Sequence, residues 1–215
     1  MFVYASYLTP AGMPRRLLCA ASAAGIALTL LICLSPAPAR AAASPGACPG
    51  STLSQPFSRW GDSNSYELLA GGDFEGSLSG WTLGNGAQRT SESEPFGATG
   101  TVGAWSLALA PGASVQSPFT CVTASDASFR FFARNEGPSA TVLAYVVYKT
   151  PLGNVSVPVG TVTLKSGWQP APSMPTGAAV AGALSGNGTA QMALRFTALT
   201  GSSRIDDVFV DPRMR

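Results

Sequence analysis

Along most of the chain apolar residues alternate with polar ones, or gather in short runs broken by Gly, Pro, Ser and Asn. This is the pattern of an all-β sandwich, with strands too short and too regularly interrupted to be helices. In SFRFFAR at residues 128–134, Phe129 and Phe131 alternate with Arg130, Phe132 and Arg134. TVLAYVVYK follows at 141–149, and PLGN at 151–154 supplies a hairpin turn into VSVPVGTVTLK, with Gly153 and Asn154 as residues that tolerate positive φ. In AQMALRFTAL at 190–199, Met192, Leu194 and Phe196 share one face, and RIDDVFV at 204–210 forms the last strand. TGAAVAGALSG at 176–186 is Ala-rich, but its glycines and its length of three turns at most favour a loop or short strand over a helix.

Residues 17–34 are a continuous apolar run behind Arg15 and Arg16, followed by SPAPARAAAS. A charged start, an apolar centre and small residues at an A-x-A-like site form the pattern of a secretory signal peptide, assigned to residues 1–43. A retained membrane anchor is the alternative, because the run is long enough to span; a lipoprotein signal is disfavoured by Ile32 before Cys33. Signal removal implies a secreted, extracellular protein without a membrane segment. Losing Arg15, Arg16 and Arg40 takes the basic residues from 13 to 10 against 11 acidic ones. No basic surface for nucleic acid is implied. The scarcity of Lys beside abundant Arg, Ala and Gly is the bias of a GC-rich bacterial genome.

Four cysteines are present, two of them inside the signal region. Cys48 and Cys121 remain, and in an oxidising compartment two lone cysteines are expected to pair. Such a bridge ties a Pro/Ser-rich leader at 44–66 to the domain at 67–215. Histidine is absent, which excludes Ser-His-Asp triads, Cys-His dyads and HExxH zinc sites. No G-x-S-x-G elbow, P-loop or dinucleotide fingerprint occurs. A carboxylate pair of the glycosidase kind is the only catalytic chemistry left, with Glu67, Glu92, Glu94 and Glu136 as candidates. Glu92 and Glu94 lie in TSESEPFGATG, which is expected to be a solvated polar loop. Asn154 and Asn187 begin N-x-S/T strings, read as chance in a bacterial protein.

Several strings, taken in order, carry a family likeness: Phe74-Glu75 in GGDFEGSLSGW, Gly80-Trp81, residues 131–134, Trp168-Gln169, residues 194–196, and residues 205–208 in SSRIDDVFV. The chain thereby resembles the jelly-roll carbohydrate-binding modules of the galactose-binding-like superfamily. That resemblance implies a secreted, monomeric, non-catalytic β-sandwich whose partner is a cell-wall or extracellular polysaccharide. It also implies a structural calcium ion clamping first strand to last. Glu75 with Asp206 or Asp207 occupies the matching positions, and Asp73 shares a strand face with Glu75. Strand alternation lets only one of Asp206 and Asp207 face such a site. Trp81 and Trp168 are expected in the core. A sugar-binding face is expected from Arg130, Arg134, Gln191 and Arg195, which point away from the core, with Trp105 and with Tyr145 or Tyr148. A structural or protein-interaction sandwich without sugar binding is the alternative reading.

Overall fold

The computed structural model describes residues 48–212, which fall within one compact unit; the apolar run at 17–34 and its cleavage region lie outside the described residues. In chain order the strands are β1 (Leu53–Ser54), β2 (Tyr66–Leu68), β3 (Thr82–Gly84), β4 (Gln88–Ser91), β5 (Trp105–Leu109), β6 (Ser114–Gln116) and β7 (Thr120–Thr123). They continue with β8 (Ser128–Asn135), β9 (Ala140–Thr150), β10 (Gly153–Leu164), β11 (Gln169–Pro170), β12 (Met174–Pro175), β13 (Thr189–Thr200) and β14 (Ser203–Asp211). One helix, α1 (Ala178–Ser185), and a 3-10 turn at Ser58–Trp60 complete the described chain.

Two antiparallel sheets face each other as a jelly-roll β-sandwich. One has eight strands, with β14 between β8 on one side and β2 and β5 on the other. The second has six, with β13 flanked by β9 on one side and by β6 and β7 on the other. The alternation in the sequence places the interior: Phe129 and Phe131 from β8 meet Val142, Ala144 and Val146 from β9 and Leu194 and Phe196 from β13, all 0% exposed. The rings of Phe131 and Phe196 lie 4.6 Å apart. Trp81 packs edge-on against Phe74 in this core, as its position in the sequence implies.

The eight-stranded sheet is covered on its other face as well. Phe57, Tyr66, Phe132, Trp168 and Phe209 form a second buried cluster, with Trp60 and Phe96 packed against it. Residues of the N-terminal leader thus act as a lid on that sheet, and a disulfide between Cys48 and Cys121 joins the start of this segment to β7. The Ala-rich segment forms the helix α1 instead of the expected loop or strand. Two of its glycines, Gly177 and Gly186, cap the ends at left-handed φ while Gly182 is buried inside the helix, and Thr176 Oγ1 accepts the N–H of Ala178. The alanine propensity between the caps therefore prevails.

Candidate functional site

Strand register lines up one row of side chains across the outer face of the six-stranded sheet. Thr82 pairs with Gln116, Gln116 with Arg195, Arg195 with Tyr145, and Tyr145 with Pro158. At the usual strand spacing this row is about 19 Å long. The Arg195 guanidinium sits 4.5 Å from the centroid of the Tyr145 ring and forms no ion pair among the described residues. Gln191 lies on the same face, two steps along β13 from Ala193 and four from Arg195, and is exposed. No carboxylate occupies an outward position of these strands. The arrangement offers a flat aromatic surface, a planar donor fork and two carboxamides, which suits hydroxyl-rich ligands and provides no acid–base pair.

The other three residues expected on a sugar face are placed elsewhere. Arg130 and Arg134 do point away from the core, but from β8 on the opposite sheet, Arg130 beneath the leader. Arg130 Nη1 is 2.7 Å from Asp62 Oδ2, its Nε donates to Ala171 O, and its guanidinium lies 4.3 Å from the Phe57 ring centroid. Arg134 pairs with Glu92 at 3.0 Å and lies over Trp168. Trp105 opens β5, half-buried, with Arg89 4.5 Å over its ring. These three hold the lid and the edge of the eight-stranded sheet and share no surface with Arg195. Thr82 and Gln116, which do share it, carry no signal in the sequence, because only the register of β3 and β6 brings them there.

The acidic residues are also rearranged. Asp206 and Asp207 are 0% and 3% exposed, and Glu94 is 1% exposed. A bulge between Asp206 and Phe209, where three steps of β14 match two of β8, breaks the alternation, and Asp207 takes φ 44°. Both aspartates are thus buried, although strand alternation alone would send neighbours to opposite faces. Asp206 Oδ2 accepts from Ser93 Oγ at 2.7 Å and from the N–H of Glu94 at 2.8 Å, and Oδ1 accepts from the N–H of Asp207. Glu94 in turn accepts the N–H groups of Phe96 and Ala98. The turn 93–98 thus folds around carboxylates, and Glu94 is buried rather than solvated as the polar string suggests.

Burial pushes the Asp206 carboxyl up to about 7, despite its three hydrogen bonds. Burial, then the negative charges of Asp206 and Glu94, push Asp207 up as well. None of the three forms an ion pair with Lys or Arg among the described residues. Glu75 is exposed, its Oε1 accepting the N–H groups of Ala104 and Trp105 at 2.7 and 2.8 Å. Asp73 Oδ1 accepts the N–H of Glu75, and its charge reaches Asp207. Three buried carboxyl groups without a cation are a donor set of the kind that suits a hard metal ion. As they stand, however, no three acidic side chains among the described residues are arranged to hold one.

No family model matches the chain, and no curated protein is similar to it in sequence. Similar solved structures are carbohydrate-binding modules. One is the family 22 module with its catalytic module in xylanase 10B of Clostridium thermocellum, complexed with xylohexaose: 16% identity, TM-score 0.47, 68% of this chain and 28% of that one covered. The second family 22 module of xylanase 10C of Paenibacillus barcinonensis, a xylan-binding domain, gives 14% identity and a TM-score of 0.41 over 65% of this chain and 97% of that one. The family 11 module of Clostridium thermocellum, in complex with a mixed-linked tetrasaccharide, gives the same identity and score over 68% and 95%. At these values no ligand for this chain follows from them.

Proposed function

We propose that this protein is a secreted, non-catalytic carbohydrate-binding module whose ligand lies along the Thr82, Gln116, Arg195 and Tyr145 row. The observation that supports this reading is the Arg195 and Tyr145 pair, an aromatic ring and an unpaired guanidinium set side by side by strand register on a face free of carboxylates. Of the four glutamates considered for hydrolysis, Glu92 and Glu136 bind Arg134 and Arg204, Glu94 is buried, and Glu67 stands on β2 of the other sheet. The partner is an extracellular or cell-wall polysaccharide. A glycan array and affinity electrophoresis against soluble plant and bacterial polysaccharides should show retention on at least one of them. Failure to bind any, by a protein that melts cooperatively, would remove this reading in favour of an interaction sandwich.

We further propose that Glu94, Asp206 and Asp207, which as they stand do not form a metal site, turn toward a structural calcium ion and become its carboxylate ligands when it binds. When bound, the ion would neutralise negative charge that the fold otherwise leaves buried without a partner.

A further inference from the structure

The β9–β10 hairpin reaches past the rest of its sheet. Pairing of β13 with β9 begins at Met192 opposite Tyr148, so Lys149 and Thr150 pair with β10 alone. Val155 and Val157 stand opposite Tyr148 and Val146, on the side of the sheet that elsewhere faces the core. Here that side is not sealed, and the two valines are 49% and 44% exposed. The opposite wall is α1, from which Val180 and Leu184 project 66% and 84% exposed. Between hairpin and helix runs a groove of about 760 Å³, within the range of roughly 300–1,000 Å³ typical of small-molecule sites. Its floor is fixed by Tyr148, whose hydroxyl donates to Thr176 O at 2.6 Å.

Charge selects the occupant. Lys149 is the single charged residue in the lining and no carboxylate is present there. Lys149 is exposed and makes no ion pair among the described residues; it follows Tyr148 in β9, so its side chain starts from the other face, at the strand edge that β13 leaves unpaired, and borders the groove from there. An open stretch of core-type surface beside one cation is complementary to an aliphatic chain that ends in one anion. We propose that this groove binds a free long-chain carboxylate, with its methylenes against Val155, Val157, Val180 and Leu184 and its head group toward Lys149. The concave shape takes a single chain along its length. A bilayer would reach convex apolar points such as Leu152, fully exposed at the hairpin tip.

Calorimetric titration of the purified protein with octanoate, decanoate and dodecanoate, each below its micellar concentration, tests this. Binding should be one to one, with affinity rising about fourfold per added methylene. Leu184→Asp, at an exposed position, should weaken dodecanoate at least tenfold while the melting curve stays unchanged. Lys149→Met should weaken dodecanoate about threefold to fivefold and leave dodecanol unchanged. Tyr145→Ala, on the other face, should not alter dodecanoate binding, so this proposal and the sugar reading stand or fall separately. Absence of saturable binding, indifference to chain length, or wild-type binding by Leu184→Asp would overturn the proposal. So would binding to phosphatidylcholine vesicles without binding of free dodecanoate, or a dimer that Leu184→Asp abolishes and dodecanoate does not displace.

Discussion

Arg195 and Arg130 carry the same charge on opposite sheets, and their truncation should have opposite consequences. Arg195 contacts only the Tyr145 ring, so Arg195→Ala should leave the midpoint of chemical denaturation within about 0.5 kcal/mol of wild type and reduce polysaccharide retention. Arg130→Ala strips Asp62 of its cation and uncovers Phe57, which should cost about 2 kcal/mol. The same contact has a pH signature. Burial acts to raise the Asp62 carboxyl, but hydrogen bonds from Tyr66, the N–H of Asn64 and Arg130 outweigh it and hold the group below its ordinary value. A carboxyl lowered by folding stabilises the folded state above the usual carboxylate range, and that share is lost as pH falls below about 4 through the folded value. Acid denaturation of Arg130→Ala should therefore show a shallower loss over this window than the wild type.

The strands and turns depend on a few tight positions. Gly201 turns β13 into β14 at φ +64°, and a Cβ there would lie 2.0 Å from Ser139 O and 3.0 Å from the Ala140 Cα. Because both obstacles are backbone, Gly201→Ala should destabilise by about 2 kcal/mol or more in urea denaturation. Phe131→Ala empties the centre of β8 where it meets Phe196, and about 3–5 kcal/mol should be lost. The disulfide acts at longer range, since Cys48 and Cys121 are 73 positions apart in the chain. Chain-entropy arguments assign such a loop about 4 kcal/mol, so replacing both cysteines by Ala should lower stability by up to that amount, and peptide mapping without reductant should recover the linked pair.

For the molecule as a whole, the buried acids are the point of weakness. If calcium holds Glu94, Asp206 and Asp207, EDTA should lower the thermal midpoint and added Ca²⁺ should restore it, with about 2.7 kcal/mol gained at a hundredfold excess over Kd. An Asp206→Asn, Asp207→Asn double variant should lose this response. A midpoint indifferent to EDTA and Ca²⁺ in the wild type would leave the cluster neutralised by protons alone. The two faces of the sandwich divide the remaining roles: the lid side is stapled by Arg130, Arg134 and Arg204 to Asp62, Glu92 and Glu136, and the six-stranded side carries no ion pair among the described residues.

The sandwich was legible in the chain because a strand writes its burial into every second residue: Phe129, Phe131, Met192, Leu194 and Phe196 face inward as alternation requires. Turn residues and the pair of cysteines were equally local signals. Alternation says which side a residue takes within its own strand, but not which strands become neighbours. Arg130 and Arg195 looked alike for that reason, until long-range pairing put them on separate sheets, one under a lid and one open. Glu94 looked solvated because nothing in its own string announces Asp206, 112 residues away in chain from the N–H it meets. Asp206 and Asp207 read as opposite-facing until a bulge turned both inward. Periodicity is a property of neighbours in sequence, whereas the sugar face, the buried acids and the groove beside α1 are made by neighbours in space.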